Sequence, residues 1–506
     1  MKKLGVLGLV AFLLVATASL SFGMDMKAKG YWWVEAQFKQ GWDFLGKGAV
    51  SEDKTVNLEQ KMRTQFSFIA NENLRAILDT QIGSANWGNG LFSIGAGRAA
   101  ATASTAVGPS ANSAGQGNIM LRKAYIEYRW PDTVTNISLG FQTVTLPAAF
   151  GGGSAILDDQ VASAVVNAPL TDNVSILAGY ARPYDANSSY STASTTFTGN
   201  GNAADVVFAA VPVTFKGFNI TPFAAYANVG SSAGSTTTTS TGLATANGFA
   251  SPNGTAGQGV RAYWGGIAAT VTALDNFKFM TDFNYGKATF NNPSASSGQG
   301  GRSGFLFDVA VDYTGLSMMT PEVFFTYSSG ENGNSSNGGG SERMPVLGTP
   351  QNWTIGSFFF GERLELGGSI NNTAGYTSNT LGYWALGLSL KDIKLIDKLS
   401  HDFNLLYAKG TNDKDYIYEL NNGGTGNVRN ANYAGFLTTK DSLWEVDFNS
   451  RYKIYDELTL LVYTGYIHAN FDKDVWGASN VGNAADIQNY GSSNAYKLGV
   501  GLNYFF

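Results

Sequence analysis

The stretch Ser442-Leu443-Trp444-Glu445-Val446-Asp447-Phe448-Asn449-Ser450-Arg451-Tyr452-Lys453-Ile454-Tyr455 decides the fold class. Successive side chains of a β-strand point to opposite faces. Trp444, Val446, Phe448, Tyr452 and Ile454 share one parity, interrupted only by Ser450, while Glu445, Asp447, Asn449, Arg451 and Lys453 share the other. One face is apolar and aromatic, and the other is ionic or amide. A soluble sandwich can show the same alternation in one strand. The number of such segments, and the way they are joined, separates the architectures.

Comparable segments recur near 29–38, 56–70, 74–84, 118–130, 136–145, 159–168, 174–182, 204–215, 218–229, 259–272, 277–288, 304–313, 318–328, 379–391, 400–410, 442–455, 458–470 and 495–505. They make about 18 strands, an even number, as single-chain bacterial barrels require. Short joints such as Asn71-Glu72-Asn73, Lys216-Gly217, Ile393 to Leu399 and Asp456-Glu457 alternate with long ones at 85–117, 183–203, 230–258, 329–378 and 411–441. The long ones are rich in Gly, Ser, Thr, Asn and Ala, and 235–241 is a Ser/Thr tract. Transmembrane barrels sort their joints this way, with tight periplasmic turns and long outer loops. Backbone in hydrocarbon must satisfy its own hydrogen bonds, which leaves only helices and closed barrels. No later segment reaches the ~20 apolar residues that a spanning helix needs. The expected fold is all-β, a transmembrane antiparallel up-and-down β-barrel.

Composition agrees with that choice. Charged residues make up 14% of the 506, against about 25% in ordinary soluble domains. A protein that turns its outside to lipid has little use for surface charge. The absence of Cys excludes disulfide scaffolds, thiolate zinc sites, Cys nucleophiles and Cys-linked lipid anchors. A net charge of −5 speaks against nucleic acid as a partner. Met1-Lys2-Lys3, the apolar run Leu4 to Ala18 and the small residues of Ser21-Phe22-Gly23 read as a secretory signal peptide over 1–23. That leaves 24–506 as one barrel domain, exported to the outer membrane.

Catalytic chemistry finds no support. His401 and His468 sit at opposite ends of adjacent hairpins, whereas zinc wants three or four N/S ligands in close reach. A hydrolase would need Ser, His and an orienting group converging on one spot. Asn412-Asp413-Lys414-Asp415 and Asp472-Lys473-Asp474 read as solvated loop acids, with oxygen ligation of Ca²⁺ as the alternative. No catalytic residue, metal or cofactor is expected, and the chain is not read as an enzyme.

At the C-terminus Tyr496, Leu498, Val500, Leu502, Tyr504 and Phe506 alternate with Lys497, Gly499, Gly501 and Asn503, and the sequence stops on Phe506. With the signal peptide, this resembles the last strand of Gram-negative outer-membrane porins, the large barrels of about 18 strands that include alginate-export-like channels. The resemblance implies that Phe506 is an assembly signal. A second motif is Thr145-Leu146-Pro147-Ala148-Ala149-Phe150-Gly151-Gly152-Gly153, followed by Asp158-Asp159. It is similar to that family's Pro-Glu-Phe-Gly-Gly constriction segment, without the Glu. The likeness implies that outer loop 146–158 folds into the pore, shaped by Pro147, Phe150, Gly151 and Gly152, with Asp158 and Asp159 taking the acidic role. A plain glycine turn is the alternative.

Barrels of this size enclose water. The candidate lining residues are Lys61, Arg63, Arg75, Lys123 and Arg129 on the second to fourth strands, and Asp282, Asp308, Asp312 and Glu322 on segments 277–288 to 318–328. A mildly basic wall would then face an acidic one. The resulting field selects among solutes, or the charges are solvated pairs without a selective role. Tyr128, Trp130, Phe277, Phe279, Tyr313, Tyr452, Tyr455, Tyr463 and Tyr466 are expected in interfacial girdles. Segments 159–168, 174–182 and 204–215 are apolar on both faces. An inward loop would cover the inner face and a subunit contact the outer one; the resemblance to porins, which are commonly trimers, implies a homotrimer with this wall near the interface.

The reading is a porin, a water-filled channel for passive diffusion of small hydrophilic solutes and ions, with outer-membrane lipid as its other partner. A substrate-specific channel for a sugar or polyanion is the first alternative. The second is a non-conducting surface scaffold or adhesin that binds through loop 329–378, with its Trp353, Phe358, Phe359 and Phe360.

Overall fold

A computed structural model describes residues 24–41, 54–86, 119–185, 203–230, 260–290, 301–333, 342–347, 382–415, 437–472, 475 and 492–506. Residues 1–23, where a signal peptide is expected, the tract 235–241 and the aromatics Trp353 and Phe358 to Phe360 lie outside the described residues.

The strands are β1 (Asp25–Gln40), β2 (Lys54–Asn71), β3 (Leu74–Asn86), β4 (Ile119–Arg129), β5 (Asn136–Thr145), β6 (Asp158–Pro169) and β7 (Ser175–Asp185). They continue as β8 (Ala203–Ala210), β9 (Val213–Phe215), β10 (Phe218–Val229), β11 (Val260–Val271), β12 (Phe277–Phe290) and β13 (Arg302–Tyr313). The last six are β14 (Thr320–Ser328), β15 (Tyr383–Ile396), β16 (Leu399–Gly410), β17 (Ser442–Lys453), β18 (Leu458–Asn470) and β19 (Ser492–Phe505). Every pairing between them is antiparallel and, apart from that of β8 with β10, runs between neighbours in the chain, until β19 returns to β1.

β8 and β9 both pair with β10 and are two pieces of one stave. Val211-Pro212 separates them, and Pro212 has no N–H to offer a ladder. The nineteen segments therefore build a closed barrel of 18 staves. The seam places Tyr31 opposite Phe505. It is finished by Gly30 N–H donating to the Phe506 carbonyl at 2.8 Å and Phe506 N–H donating to the Gly30 carbonyl at 3.1 Å. Closure removes the unpaired edges that an open sheet of this length would expose.

The short turns all lie at one end. Gly217, at φ 76°, makes the two-residue turn between β9 and β10, where an added Cβ would meet the Ala273 backbone at 2.9 Å. One joint is tighter than the sequence suggests. In place of a turn from Ile393 to Leu399, β15 runs on to Ile396 through two bulges, and only Asp397-Lys398 remain between strands. Asp392, at φ 54°, and Lys398, at φ 63°, absorb the irregularity. Leu395 and Ile396, beside the turn, stay exposed.

Candidate channel lining

The alternation in β17 becomes two faces of the wall. Glu445 and Asp447 are 0% exposed and point inward, while Trp444 and Phe448 are 47% and 43% exposed and point outward. β13 repeats the pattern, with Arg302, Asp308 and Asp312 inside and Phe305, Val309 and Tyr313 outside. The outward aromatics form chains across neighbouring strands. Trp384–Tyr407 centroids are 5.4 Å apart, Tyr407–Trp444 4.8 Å, and near the short turns Phe277–Tyr313 5.1 Å. Tyr463 corrects the expected girdle. It has the parity of Leu461 and Ile467, faces inward, and donates its hydroxyl to Glu35 at 2.5 Å.

The chain between β5 and β6 turns into the barrel. Its base is closed by Leu146 N–H donating to the Leu157 carbonyl at 3.0 Å. Gly151 and Gly152, at φ 76° and 79°, reverse the backbone where a Cβ would be strained. Just before them, the Ala149 and Phe150 N–H groups each donate to the Asp282 carboxylate at 2.8 Å. The Phe150 ring lies 5.6 Å from that of Phe324 on β14. β12 and β14 are six and eight staves away from β5, so the loop spans toward the far wall. Pro147 is half-buried at the start of this crossing. Asp158 and Asp159 stay at its base, Asp158 accepting from Thr145 Oγ1 at 2.8 Å and Asp159 from the Gln160 N–H at 2.7 Å. The acid that engages the crossing is Asp282, from the opposite wall.

Below the loop, Leu146, Ile156 and Leu157 share one core with Val161, Ala181, Val206, Phe208, Ala227 and Val260. A second inward piece, 342–347, lies against the first. Leu347 N–H donates to the Ile156 carbonyl at 2.7 Å and Trp264 Nε1 to the Pro345 carbonyl at 2.7 Å. Buried Glu331 ties it to the wall, with Arg302 at 2.8 Å and Arg343 at 3.3 Å.

Three of the predicted cations divide from the other two. Arg63 and Lys123 gather near Asp79, joined by Arg122, which the alternation had not marked. Asp79 lies 3.3 Å from Arg122 Nη1 and 3.9 Å from Lys123 Nζ. Arg63 donates to Gln81 at 2.7 Å and lies 5.8 Å from the Tyr31 ring centroid. A bulge opposite Asp79 and Thr80 turns both Arg122 and Lys123 inward. The sequence does carry its signal. The outward apolar parity switches from Ile119 and Leu121 to Ala124, Ile126 and Tyr128. Lys61 is also inside, 2% exposed, on β2. Arg75 instead pairs with Glu127 at the short-turn rim, and exposed Arg129 ends β4 there.

The predicted acids are all on the inner face but none stands bare. Asp282 holds the loop. Asp308 accepts the Asp282 N–H at 3.0 Å. Asp312 and Glu322 share Lys391, at 2.7 and 2.8 Å, another residue that the sequence reading missed. His401 and His468 face outward, hydrogen-bonded to Ser450 and Asn494, both at 2.8 Å. Asn412 is a buried staple that donates to the Gly382 and Leu437 carbonyls and accepts from the Glu331 N–H. No cluster fit to hold a metal occurs among the described residues.

An apolar exterior, an interior that is ionic over much of its wall and complete closure define the class of large antiparallel barrels built to span a membrane. No family model matches the chain, and no curated protein matches it. Among solved structures it is similar to Pseudomonas aeruginosa OpdL, with a TM-score of 0.50 and 10% identity over 95% of this chain and 99% of that one. Pseudomonas aeruginosa OpdQ gives 0.49 at 10% identity, over 95% and 98%, and the outer membrane protein OprD of that organism 0.47 at 11%, over 95% and 94%. At such identity the OpdL likeness is one of fold.

Proposed function

We propose that the chain is an outer-membrane porin, a passive channel for small hydrophilic solutes and ions. The observation that carries this reading is the inversion of an ordinary protein surface. The ion-paired groups Arg122, Lys123, Asp79, Lys391, Asp312 and Glu322 face the inside of a closed barrel whose outside is apolar. Lipid outside and water inside satisfy both faces at once. The loop tethered to Asp282 narrows the passage, and the grouping of Arg63, Arg122 and Lys123 around one acid gives it an anion preference. Arg75 and Arg129, at the rim, contribute less.

Residues 1–23 act as the cleaved signal peptide, and Phe506 as the assembly signal. Nothing catalytic takes part. Three copies assemble through the small-residue exterior of β6–β8, where Ala162, Ala164, Val207 and Ala209 face outward. Native mass measurement in mild detergent tests that assembly, and a monomer would remove it.

Planar-bilayer recording tests the channel. Stepwise conductance without block by sugars or polyanions is the expected result. Block by one such solute at low concentration would make it a substrate-specific channel, and silent bilayers would favour the scaffold.

A further inference from the structure

Among the described residues, the outer surface of the barrel holds a pair of cations that passage through the lumen does not use. On β11, Arg261 faces outward in register with Thr289 of β12, and Tyr263 is paired with Lys287. Both cations are exposed. Antiparallel geometry makes Arg261 and Lys287 diagonal neighbours, about 7–8 Å apart at the backbone. Neither side chain has a hydrogen-bond or ionic partner among the described residues. The only acid in the sequences of β10, β11 and β12 is Asp282, which points inward to the loop. The outward acid on the stave beyond β10, Asp205 on β8, is already engaged by Arg182 at 2.8 Å and by the Tyr180 hydroxyl.

Height on the wall gives the pair its meaning. Tyr226 and Tyr263 meet at 5.0 Å, and Tyr285 continues the row at 45% exposure. Such rings settle at the boundary between hydrocarbon and headgroups. Lys287 is level with Tyr263, and Arg261 lies one outward step nearer the long-loop end. A cation facing lipid is costly at the midplane and nearly free of cost at the interface. Arg also matches phosphate oxygens two at a time.

We propose that Arg261 and Lys287 form a phosphate-binding shelf for the phosphorylated glycolipid of the outer leaflet. The glycolipid's acyl chains lie along Tyr263, Ile267 and Phe283 below. This rests on the membrane orientation of the porin reading, with the long loops outside.

The test is native mass spectrometry of the full chain in detergent, with a bis-phosphorylated diglucosamine lipid and its dephosphorylated form as probes. The wild type should retain the phosphorylated lipid. Arg261→Gln/Lys287→Gln should retain it roughly an order of magnitude less well, and the exchange Arg261→Lys/Lys287→Arg should keep most of it. Heat-modifiable mobility verifies the fold of each variant, and Arg261→Gln alone carries the comparison if the double variant does not fold. Equal retention of the dephosphorylated lipid, or by the double variant, overturns the shelf. So does a wild-type oligomer that falls apart in the double variant, because the face would then be a subunit contact. Conductance of the same samples should be unchanged. A silent wild type with phosphate-dependent retention would overturn the channel and keep the shelf, whereas conductance without phosphate dependence would do the reverse.

Discussion

Two walls of the same barrel meet the lumen in opposite ways. From β6 to β11 the inner face is Val161, Ala181, Ala204, Val206, Phe208, Ala227, Val229 and Ala262, and folded-in chain covers it. From β17 through β19 to β4 it is Glu445, Asp447, Lys497, Glu35, Gln37, Lys61, Asp79 and Arg122. Backbone pairing is the same in both, so the side chains decide what fills the space. Apolar surface left in water costs about 25 cal/mol per Å², which drives Leu146, Ile156 and Leu157 onto the first wall. The second wall has ions that must be paired or hydrated. The loop is therefore held by burial on one side and by one carboxylate, Asp282, on the other.

The largest effect is expected at the apolar wall. Leu157→Ala should cost about 2–5 kcal/mol by the usual core-truncation range, seen as a lower temperature for loss of the heat-modifiable band. An unchanged temperature would mean that the loop is not packed there. Next comes the tether. Asp282→Ala removes the acceptor of two N–H groups, each bond to a charged acceptor being worth about 1.5–3 kcal/mol. The predicted result is a larger and noisier single-channel conductance with the barrel intact, and the same conductance as wild type would dismiss Asp282 as a tether. A smaller effect is expected from Arg63→Gln/Arg122→Gln/Lys123→Gln, which should move the reversal potential in a salt gradient toward cations. Arg75→Gln/Arg129→Gln should move it less, and the opposite ranking would shift selectivity to the rim. The smallest change is expected from Lys391→Met, a modest gain of cation preference as Asp312 and Glu322 lose their shared partner.

Much of the frame is legible in the sequence because a strand's period of two writes its environment directly. Trp444 against Glu445 is enough to assign two faces, and joints sorted by length assign two ends. The runs that are apolar on both faces are readable as a wall needing cover. What fills the barrel is harder, because contacts such as Phe150 to Phe324 or Leu347 to Ile156 join residues far apart in sequence. Arg122 escapes because a bulge changes parity within one strand, although the switch from Leu121 to Ala124 records it. Tyr463 escapes because an aromatic near a strand end suits a girdle and a lumen hydrogen bond equally well. Asp282 is recognisable as a lumen acid, but its partners are backbone N–H groups, which no side-chain pattern announces.

The cations Arg122 and Lys123, whose side chains are 16% and 22% exposed, border the water path of the proposed channel, while the apolar wall is sealed by the loop. The natural absence of Cys makes this contrast directly measurable. Arg122→Cys and Val206→Cys can each be recorded in a planar bilayer while a charged, water-soluble thiol reagent is added. A stepwise change of conductance is expected for Arg122→Cys and none for Val206→Cys. Modification of Val206→Cys alone, or of neither with channels open, would contradict the contrast.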